Sequence, residues 1–360
     1  MANKTDRFTF APAPGRRQTR IFYDNRSYSA FPHVVRLEGD ELLLAFRQAP
    51  RQDIVRHTHP RSVITVIRSY DLGKTWQNEE ATQLAAGGGQ ELGLIYLGQG
   101  KVGGALAAHE VVPIDEGPRA GFAHIHASEY PFSNIGGLWC WSDNYGLTWR
   151  VENATLFAPG LQCCAPPVQL TDGTVLIPVY CPVDGDTHSS SVIFASSNGG
   201  KTWNRRAIIA RGTPRTRHYH EPAVLELMSG HLLALHRVAD EKGPHGLFWR
   251  NESSDAGKTW TRPQRTAIRS GACPRLLKLR DGRLLLAYGR RYEPYGLYAV
   301  LSEDNGKTWG DTTWQLRPTP DGNQGYTSSL ELDDGRIFTT SYAKDSRGVT
   351  GITGTFWRLP

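Results

Sequence analysis

An eight-residue pattern, Ser-x-Asp/Asn-x-Gly-x-Thr-Trp, occurs five times in this chain of 360 residues. The five copies occupy residues 69–76, 142–149, 196–203, 253–260 and 302–309. Their starts are 73, 54, 57 and 49 residues apart. Recurrence of one motif at such intervals indicates a fold assembled from copies of a single supersecondary unit. The repeat therefore restricts the chain to a modular architecture before any other feature is considered.

The residues of the repeat have the chemistry of a tight hairpin turn. An Asp or Asn side chain can accept hydrogen bonds from backbone N–H groups in its own loop. The glycine supplies a positive φ, and the Thr and Trp begin the next strand, where the indole covers a hydrophobic layer. We interpret the aspartates as structural, because a catalytic role would require a separate active site in every copy.

A second, fainter repeat consists of an apolar run, a glycine-containing turn and another apolar run. It occurs six times, at residues 34–47, 94–110, 168–180, 224–237, 276–290 and 330–342. Each copy predicts a hairpin formed by the first two strands of one blade. We therefore predict an all-β, six-bladed β-propeller in which residues 1–360 form a single domain. The last unit has room for only three strands, so residues 20–24 (RIFYD) are expected to supply the fourth and close the ring.

Composition excludes several functional classes. The formal net charge is +6, but the basic residues are dispersed, which argues against nucleic-acid binding and suits a small anionic substrate. No stretch of eighteen apolar residues predicts a membrane span. The five cysteines lack the spacing of a zinc site or a disulfide framework, and no acidic cluster suggests calcium, so no metal or cofactor is expected. The first ten residues lack an apolar segment. A cytoplasmic location is therefore expected, or secretion if a signal peptide has been removed, and the sequence does not indicate an oligomeric state.

Blade geometry indicates where a site would lie. The starts of the first strands, the ends of the second strands and the loops between strands two and three all share one face, whereas the five turns lie on the opposite face. Arginines at these positions have the fork geometry that binds a carboxylate. The predicted substrate-binding residues on this face are Arg47, Arg237, Arg275, Arg290, His57 and His109.

These repeats, with two longer segments, resemble the sialidase superfamily of propellers, in which the eight-residue repeat is called the Asp-box. Residues 220–237 (HEPAVLELMSGHLLALHR) are similar to the segment that holds a glutamate and an arginine, here Glu221 and Arg237. Residues 325–342 (GYTSSLELDDGRIFTTSY) are similar to the segment that holds a tyrosine nucleophile, here Tyr326. The resemblance implies that Glu221 activates Tyr326, which a phenol requires because it is protonated at neutral pH. A neutral nucleophile also avoids repulsion by an anionic sugar.

The chain departs from the family pattern at three places. An arginine is expected in blade one where Ala30-Phe31-Pro32 stands, and another in blade five where Tyr295-Gly296 stands. The catalytic aspartate of the family is missing, and His57 and His59 lie near its place, with Asp53 further away. A histidine can serve as general acid and base near neutral pH, so His59 is the predicted acid/base.

Three functions fit this pattern. The first is a retaining exo-glycosidase that acts on sialic acid, a related keto-sugar acid or a uronic acid, with Tyr326, Glu221 and His59 as the catalytic residues. The second is a lyase that acts on a uronate polysaccharide, in which a histidine or tyrosine removes the proton next to an arginine-bound carboxylate. The third is a non-catalytic carbohydrate-binding propeller. All three take an acidic saccharide as the partner.

Overall fold

A computed structural model describes residues 8–52, 58–84, 88–112, 130–214, 217–239 and 246–360. The described residues form twenty-five β-strands and no helix. None of the described segments therefore has the helical length and apolarity that a membrane span requires.

The strands lie in six sheets. Blade one contains β3 (Ser27–Arg36), β4 (Leu42–Pro50), β5 (Val63–Ser69) and β6 (Gln77–Leu84). Blade two contains β7 (Leu92–Gly98), β8 (Lys101–Val111), β9 (Phe132–Ser142) and β10 (Arg150–Pro159). Blade three contains β11 (Val168–Gln169), β12 (Val175–Pro182), β13 (Ser189–Ser196) and β14 (Asn204–Ala210). Blade four contains β15 (His218–Met228), β16 (His231–Ala239), β17 (Leu247–Ser253) and β18 (Gln264–Arg269).

The last two blades also recruit strands from the N-terminal region. Blade five contains β19 (Arg275–Lys278), β20 (Leu284–Arg290), β21 (Gly296–Ser302), β22 (Thr312–Pro318) and β1 (Thr9–Pro12). Blade six contains β23 (Gln324–Glu331), β24 (Arg336–Lys344), β25 (Thr350–Arg358) and β2 (Arg17–Phe22).

The sheets are arranged around a central axis. Within each blade, strands that follow one another in the chain pair antiparallel. The first strands β3, β7, β11, β15, β19 and β23 each contact the first strands of the neighbouring blades, in ring order. The predicted six-bladed propeller is confirmed.

The N-terminal region binds two blades at once. Strand β2 pairs antiparallel with β25 and so takes the outermost position of blade six, where residues 20–24 were expected. Strand β1 pairs parallel with β22 as a fifth strand of blade five, which the sequence did not suggest. The outer edges of β22 and β25 are thus paired by backbone hydrogen bonds rather than left open.

The five Asp-boxes form the turns between the third and fourth strands. In the first copy, the Asp71 carboxylate accepts hydrogen bonds from the backbone N–H of Thr75 (2.9 Å) and from its hydroxyl (2.7 Å). The Trp76 indole N–H donates to the Gly73 carbonyl (3.2 Å), and the φ of Gly73 is +86°. The hydrogen bond from the Thr backbone N–H to the Asp or Asn side chain recurs in all four other copies. The hydrogen bond from the indole to the Gly carbonyl recurs in the second, third and fourth copies. The structural interpretation of the Asp-box aspartates agrees with this geometry.

The hydrophobic core consists of layers between adjacent blades. Each layer is formed by the alternate apolar residues of neighbouring sheets. Between blades two and three, for example, Trp139 packs on the Asp-box residue Trp203 with ring centroids 5.2 Å apart. The blades therefore hold one another in register and fix the positions of the strand ends near the axis.

Candidate active site

The starts of the six first strands bring together a ring of residues around the axis, which we call the tip residues. In blade order they are Phe31, Glu91, Cys164, Glu221, Cys273 and Tyr326. Four of them, Phe31, Cys164, Cys273 and Tyr326, belong to one buried hydrophobic cluster. The other two are carboxyl groups, both buried and both close enough to influence the pKa of Tyr326.

Tyr326 and Glu221 form the chemically distinctive pair of the ring. The Tyr326 hydroxyl donates a hydrogen bond to Glu221 Oε1 at 2.5 Å. Each residue lies at a break in the pairing register of its strand and has a positive φ, of 49° and 47° respectively. A β-bulge of this kind redirects a side chain out of the regular alternation. The predicted partnership between these two residues is therefore present in the structure.

The charge states of this pair differ. Burial raises the pKa of Tyr326 well above its usual value, and the negative charge of Glu221 raises it further. Burial also favours the neutral form of Glu221, but Arg237, the hydrogen bond from Tyr326 and Arg291 outweigh it and lower the pKa of Glu221 to about 2. The pair is thus a neutral phenol that donates to an ionised carboxylate.

Arg237 is the arginine bound directly to this pair. It lies on β16 opposite His220, and its Nη1 donates to Glu221 Oε1 at 2.9 Å. Among the described residues, neither Glu221 Oε2 nor Arg237 Nε has a hydrogen-bond partner. Both atoms are enclosed by protein, but the Arg237 side chain is 16% exposed, so another part of its guanidinium remains open to a ligand.

Arg291 is a second guanidinium at the site, and sequence analysis did not select it. Its guanidinium carbon lies 5.6 Å from the centre of the Tyr326 ring. Arg291 Nε donates to the Gln324 carbonyl (3.4 Å), and Nη2 donates to the Tyr342 hydroxyl (3.5 Å). These contacts hold Arg291 beside the Tyr326 ring and next to Tyr342.

The predicted Arg290 is directed elsewhere. Its guanidinium lies over the rings of Tyr292 (4.1 Å) and Phe10 (4.9 Å) and donates to the Glu293 carbonyl at 2.9 Å. Side chains alternate between the two faces of a strand, and Arg290 shares the face of Tyr288, which packs in the core. Arg290 therefore supports blade five and its fifth strand, and its neighbour Arg291 reaches the site.

Arg275 lies beneath the tip residues rather than on the open side of the ring. It donates to the Cys164 carbonyl oxygen, lies 3.8 Å from Glu91, and has its guanidinium carbon 5.8 Å from the centre of the Tyr326 ring. It also lines an open axial cavity together with His33, Pro166 and Ser328, among others. His33 and Ser328 follow the tip residues along their strands, so this cavity lies towards the Asp-box face. The structure therefore places Arg275 where it supports the ring from below.

Glu91 is the acidic group that sequence analysis missed. It precedes β7 and is 7% exposed, and its only described side-chain partner is Arg275 at 3.8 Å. Burial raises the pKa of Glu91 well above its usual value; Arg275 opposes this shift and Glu221 adds to it. Glu91 is thus more readily protonated than an exposed carboxyl group. An acidic residue directly before an apolar run, as in Glu221 before Pro222, was the available signal.

Arg47 and His59 meet in a separate small pocket between blades one and six. Arg47 Nε donates to Ser62 Oγ at 2.9 Å, and its guanidinium lies 5.6 Å from the centre of the Tyr28 ring. His59 Nδ1 accepts a hydrogen bond from the Arg61 backbone N–H at 3.0 Å. The Tyr28 ring lies 6.5 Å from that of Tyr342, so this pocket adjoins the site. His57 lies outside the described residues.

His109 has a structural position in blade two. It is 1% exposed; its Nδ1 lies 3.2 Å from the Gly88 carbonyl and its Nε2 lies 3.0 Å from Gln162 Nε2. Burial lowers the pKa of His109. The neutral ring thus donates to Gly88 and accepts from Gln162, which joins blade two to the start of blade three and leaves neither nitrogen for a ligand.

The remaining polar groups give no sign of metal or thiol chemistry. No cluster of three or more His, Cys, Asp or Glu side chains that could hold a metal ion occurs in the described parts of the chain. All five cysteines are free thiols. Burial raises the pKa of Cys164 and of Cys273, so both tip-residue thiols are protonated and poor nucleophiles.

Comparison with known proteins agrees with the fold. A protein of unknown function from Dyadobacter fermentans is 23% identical, with a TM-score of 0.81 over 96% of this chain and 100% of that chain. The Hadza microbial sialidase Hz136 is 20% identical, with a TM-score of 0.68 over 92% of this chain and 66% of that one. An α-L-arabinanase from Penicillium chrysogenum, complexed with arabinobiose, is 13% identical, with a TM-score of 0.64 over 94% of this chain and 97% of that one. No curated protein sequence matches the chain.

These similarities establish a fold that is shared by sialidases and by at least one other kind of glycosidase. The sequence itself matches a family over residues 127–339, a segment that includes Glu221, Arg237 and Tyr326. On this evidence the chain is a sialidase-like six-bladed propeller and belongs to the BNR repeat-like domain family.

Proposed function

We propose that this protein is an exo-acting glycoside hydrolase that releases an acidic sugar with retention of configuration. The single observation that carries the proposal is the 2.5 Å hydrogen bond from the buried Tyr326 phenol to the ionised Glu221. A phenol needs an adjacent base to act as a nucleophile at neutral pH, and glycosidases with a tyrosine nucleophile are an established exception to the use of two carboxylates.

The guanidinium groups favour an anionic substrate. Arg237 and Arg291 both lie beside Tyr326 and Glu221, and both pKa values are raised despite burial, so both carry a positive charge. A sugar carboxylate bound between them would accept a charge-assisted hydrogen bond from the exposed part of the Arg237 guanidinium, whose side chain is 16% exposed. It would also orient the anomeric carbon towards the phenol.

The reaction then has two steps. Glu221 accepts the phenolic proton as Tyr326 Oη bonds to the anomeric carbon, and the glycosidic C–O bond breaks with transfer of a proton to the departing oxygen. Water then attacks the anomeric carbon, the bond to Tyr326 Oη breaks, and the phenol regains its proton from Glu221. The acid/base that protonates the leaving group and activates the water is assigned to His59, which lies in the adjoining pocket with Arg47.

Arg237 links substrate binding to the basicity of Glu221. In the free protein Arg237 stabilises the ionised carboxylate and helps to hold the pKa of Glu221 at about 2, which makes it a weak base. A substrate carboxylate that accepts hydrogen bonds from Arg237 divides its positive charge between two anions. The pKa of Glu221 then rises towards the range in which proton transfer from the phenol is efficient.

The decisive experiment is a screen of aryl glycosides of acidic sugars with wild type and Tyr326→Phe. The variant lacks the nucleophilic oxygen and is expected to lose roughly 10³-fold or more in kcat on the best substrate. Tyr219→Phe is the matched control, because Tyr219 is a buried tyrosine of the same strand as Glu221 that packs on Trp249. Equal turnover by wild type and Tyr326→Phe would exclude the proposed mechanism.

The same screen separates the alternatives. A lyase releases an unsaturated sugar that absorbs in the ultraviolet, without water entering the product. A binding propeller retains acidic sugars in equilibrium titrations but turns over none of the substrates. Either result replaces the hydrolase proposal.

A further inference from the structure

Phe31 shares an uncommon backbone geometry with the two reacting residues. Its φ is 58°, against 47° for Glu221 and 49° for Tyr326, and each of the three lies at a break in the register between strands one and two of its blade. The equivalence extends to the sequence, because a proline follows both Phe31 and Glu221. Blade one therefore presents Phe31 to the axis by the device that presents the nucleophile and its base.

This geometry is not a general feature of the strands. In the described parts of the chain, six other non-glycine residues have a positive φ, and all of them lie in turns: Leu72, Gln99, Tyr145, Asp184, Ala256 and Asn305. In a turn a positive φ reverses the chain direction. Within a strand it gives no such benefit, and for a bulky residue such as Phe it is a true outlier. Such outliers concentrate at functional sites, where the position of a side chain matters.

Phe31 forms the wall beside the nucleophile. Its ring lies 4.7 Å from the Tyr326 ring and 5.3 Å from the Tyr342 ring, both edge to face. It is 6% exposed, the same fraction as Tyr326, so both tip residues reach the site to a similar extent. The cationic side of the site is formed by Arg237 and Arg291, so the two sides differ sharply in chemistry.

We propose that Phe31 determines glycone specificity by contacting the apolar C–H face of the sugar, while the sugar carboxylate is held by Arg237 and Arg291. This inference rests on the proposed function, since it assigns a residue to the same site. Pyranose rings carry C–H groups that pack on aromatic side chains, and a phenyl ring offers no hydrogen bond. Blade one therefore selects for shape and apolar contact, and contributes no charge to carboxylate binding at its tip.

The test compares Phe31→Leu with Phe46→Leu. Both phenylalanines belong to one hydrophobic cluster, but Phe46 is fully buried on β4 and packs on Phe22 rather than on Tyr326. Loss of the aromatic contact in Phe31→Leu is expected to raise KM roughly tenfold, the order of one aromatic contact, with kcat changed less than KM. Phe46→Leu is expected to lower the melting temperature and leave KM unchanged.

A second variant guards against misfolding. Asparagine tolerates a positive φ better than other non-glycine residues, so Phe31→Asn retains the backbone conformation while it removes the apolar wall. The KM of Phe31→Asn is expected to rise at least as much as that of Phe31→Leu. Its melting temperature is expected to fall only moderately, because asparagine tolerates the positive φ. If the KM of both variants follows that of Phe46→Leu, Phe31 is only a packing residue and the inference is wrong.

Equilibrium binding keeps this result distinct from failure of the hydrolase proposal. Dissociation constants for free glucuronate and N-acetylneuraminate are measured by calorimetry for wild type, Phe31→Leu and Phe46→Leu. If wild type binds a sugar acid without hydrolysing its glycosides, the hydrolase proposal fails while weaker binding by Phe31→Leu alone still supports the inference. If Phe31→Leu binds as tightly as wild type, the inference fails even when hydrolysis is present. Absence of binding and turnover in wild type overturns both.

Discussion

Replacing Glu221 by glutamine is expected to remove an acid-sensitive part of the folding stability. Burial alone would raise the pKa of Glu221, but Arg237, Tyr326 and Arg291 lower it from 4.5 to about 2. Because the folded chain holds this carboxyl ionised more strongly than the unfolded chain does, its contribution is complete above pH 4.5. The contribution is lost as the pH falls through the folded value near 2.

The magnitude follows from the two pKa values. A difference of one pKa unit corresponds to about 1.4 kcal/mol, so the full contribution of Glu221 is roughly 3 kcal/mol. At pH 3.5, one unit below the ordinary value, roughly 1 kcal/mol of it is already lost. Glutamine is the appropriate replacement because its amide oxygen still accepts from Tyr326 and does not titrate.

The assay is urea unfolding of wild type and Glu221→Gln between pH 7 and pH 3.5. The difference between their free energies of unfolding isolates Glu221 from the other carboxylates, which are common to both chains. Between pH 7 and pH 3.5, wild type is expected to lose roughly 1 kcal/mol of stability relative to Glu221→Gln. A difference that is constant from pH 7 to pH 3.5 would refute the charge state assigned to the pair.

Glu91→Gln provides a control of opposite sign. Burial raises the pKa of Glu91 above 4.5, so the folded chain retains a proton that the unfolded chain releases. The stability of wild type relative to Glu91→Gln is therefore complete below pH 4.5 and declines as the pH rises towards the folded pKa. If the stability of wild type relative to each variant changed with pH in the same direction, the opposite pKa shifts of the two carboxyl groups would be contradicted.

Two further predictions concern residues that the structure separates by position. Arg291→Met is expected to raise the dissociation constant for an acidic sugar about tenfold or more, because a hydrogen bond to a charged group is lost. Arg290→Met is expected to lower the stability and leave this dissociation constant unchanged. Calorimetric titration distinguishes the two variants, and equal weakening of binding would contradict the placement of Arg290. Asp71→Ala is expected to lower the free energy of unfolding by about 1 kcal/mol, as for loss of a capping side chain. Its kcat is expected to be unchanged, because Asp71 lies in a turn on the face opposite the site. A large loss of kcat would contradict the structural role of Asp71.

The fold was predictable because the chain contains recurring sequence motifs, one set for each blade. The six hairpins specify the number of blades, and the five Asp-boxes specify which turns share one face. The starts of the first strands lie on the opposite face, which is therefore the face of the site. The parallel strand β1 was not predictable, because residues 9–12 (TFAP) carry no alternation and pair with β22, which lies near the other end of the chain. Its position depends on tertiary contacts such as that of Phe10 with Tyr298.

The site was predictable in part. The pairing of Tyr326 with Glu221 followed from similarity to known segments, since both lie at the start of a first strand. The choice between Arg290 and Arg291 did not follow from the sequence. Arg290 is the last residue of β20 and Arg291 follows it, so the two side chains can face opposite sides, and the sequence does not show which of them faces the site. Glu91 was missed because blade two has the least regular hairpin, which hides where its first strand begins.

The distribution of backbone strain supports a functional reading of the ring as a whole. A non-glycine residue held at positive φ within a strand costs about 1–3 kcal/mol, and three tip residues, Phe31, Glu221 and Tyr326, adopt it. The tip residues of blades two, three and five reach the axis without it, so propeller closure does not require the strained conformation. The conformation occurs instead where a phenol must meet a carboxylate at 2.5 Å and where an aromatic wall abuts that phenol. Relaxing the three bulges would remove this strain and still leave the central channel closed. The strained conformation is therefore explained by the contacts that it gives these three side chains.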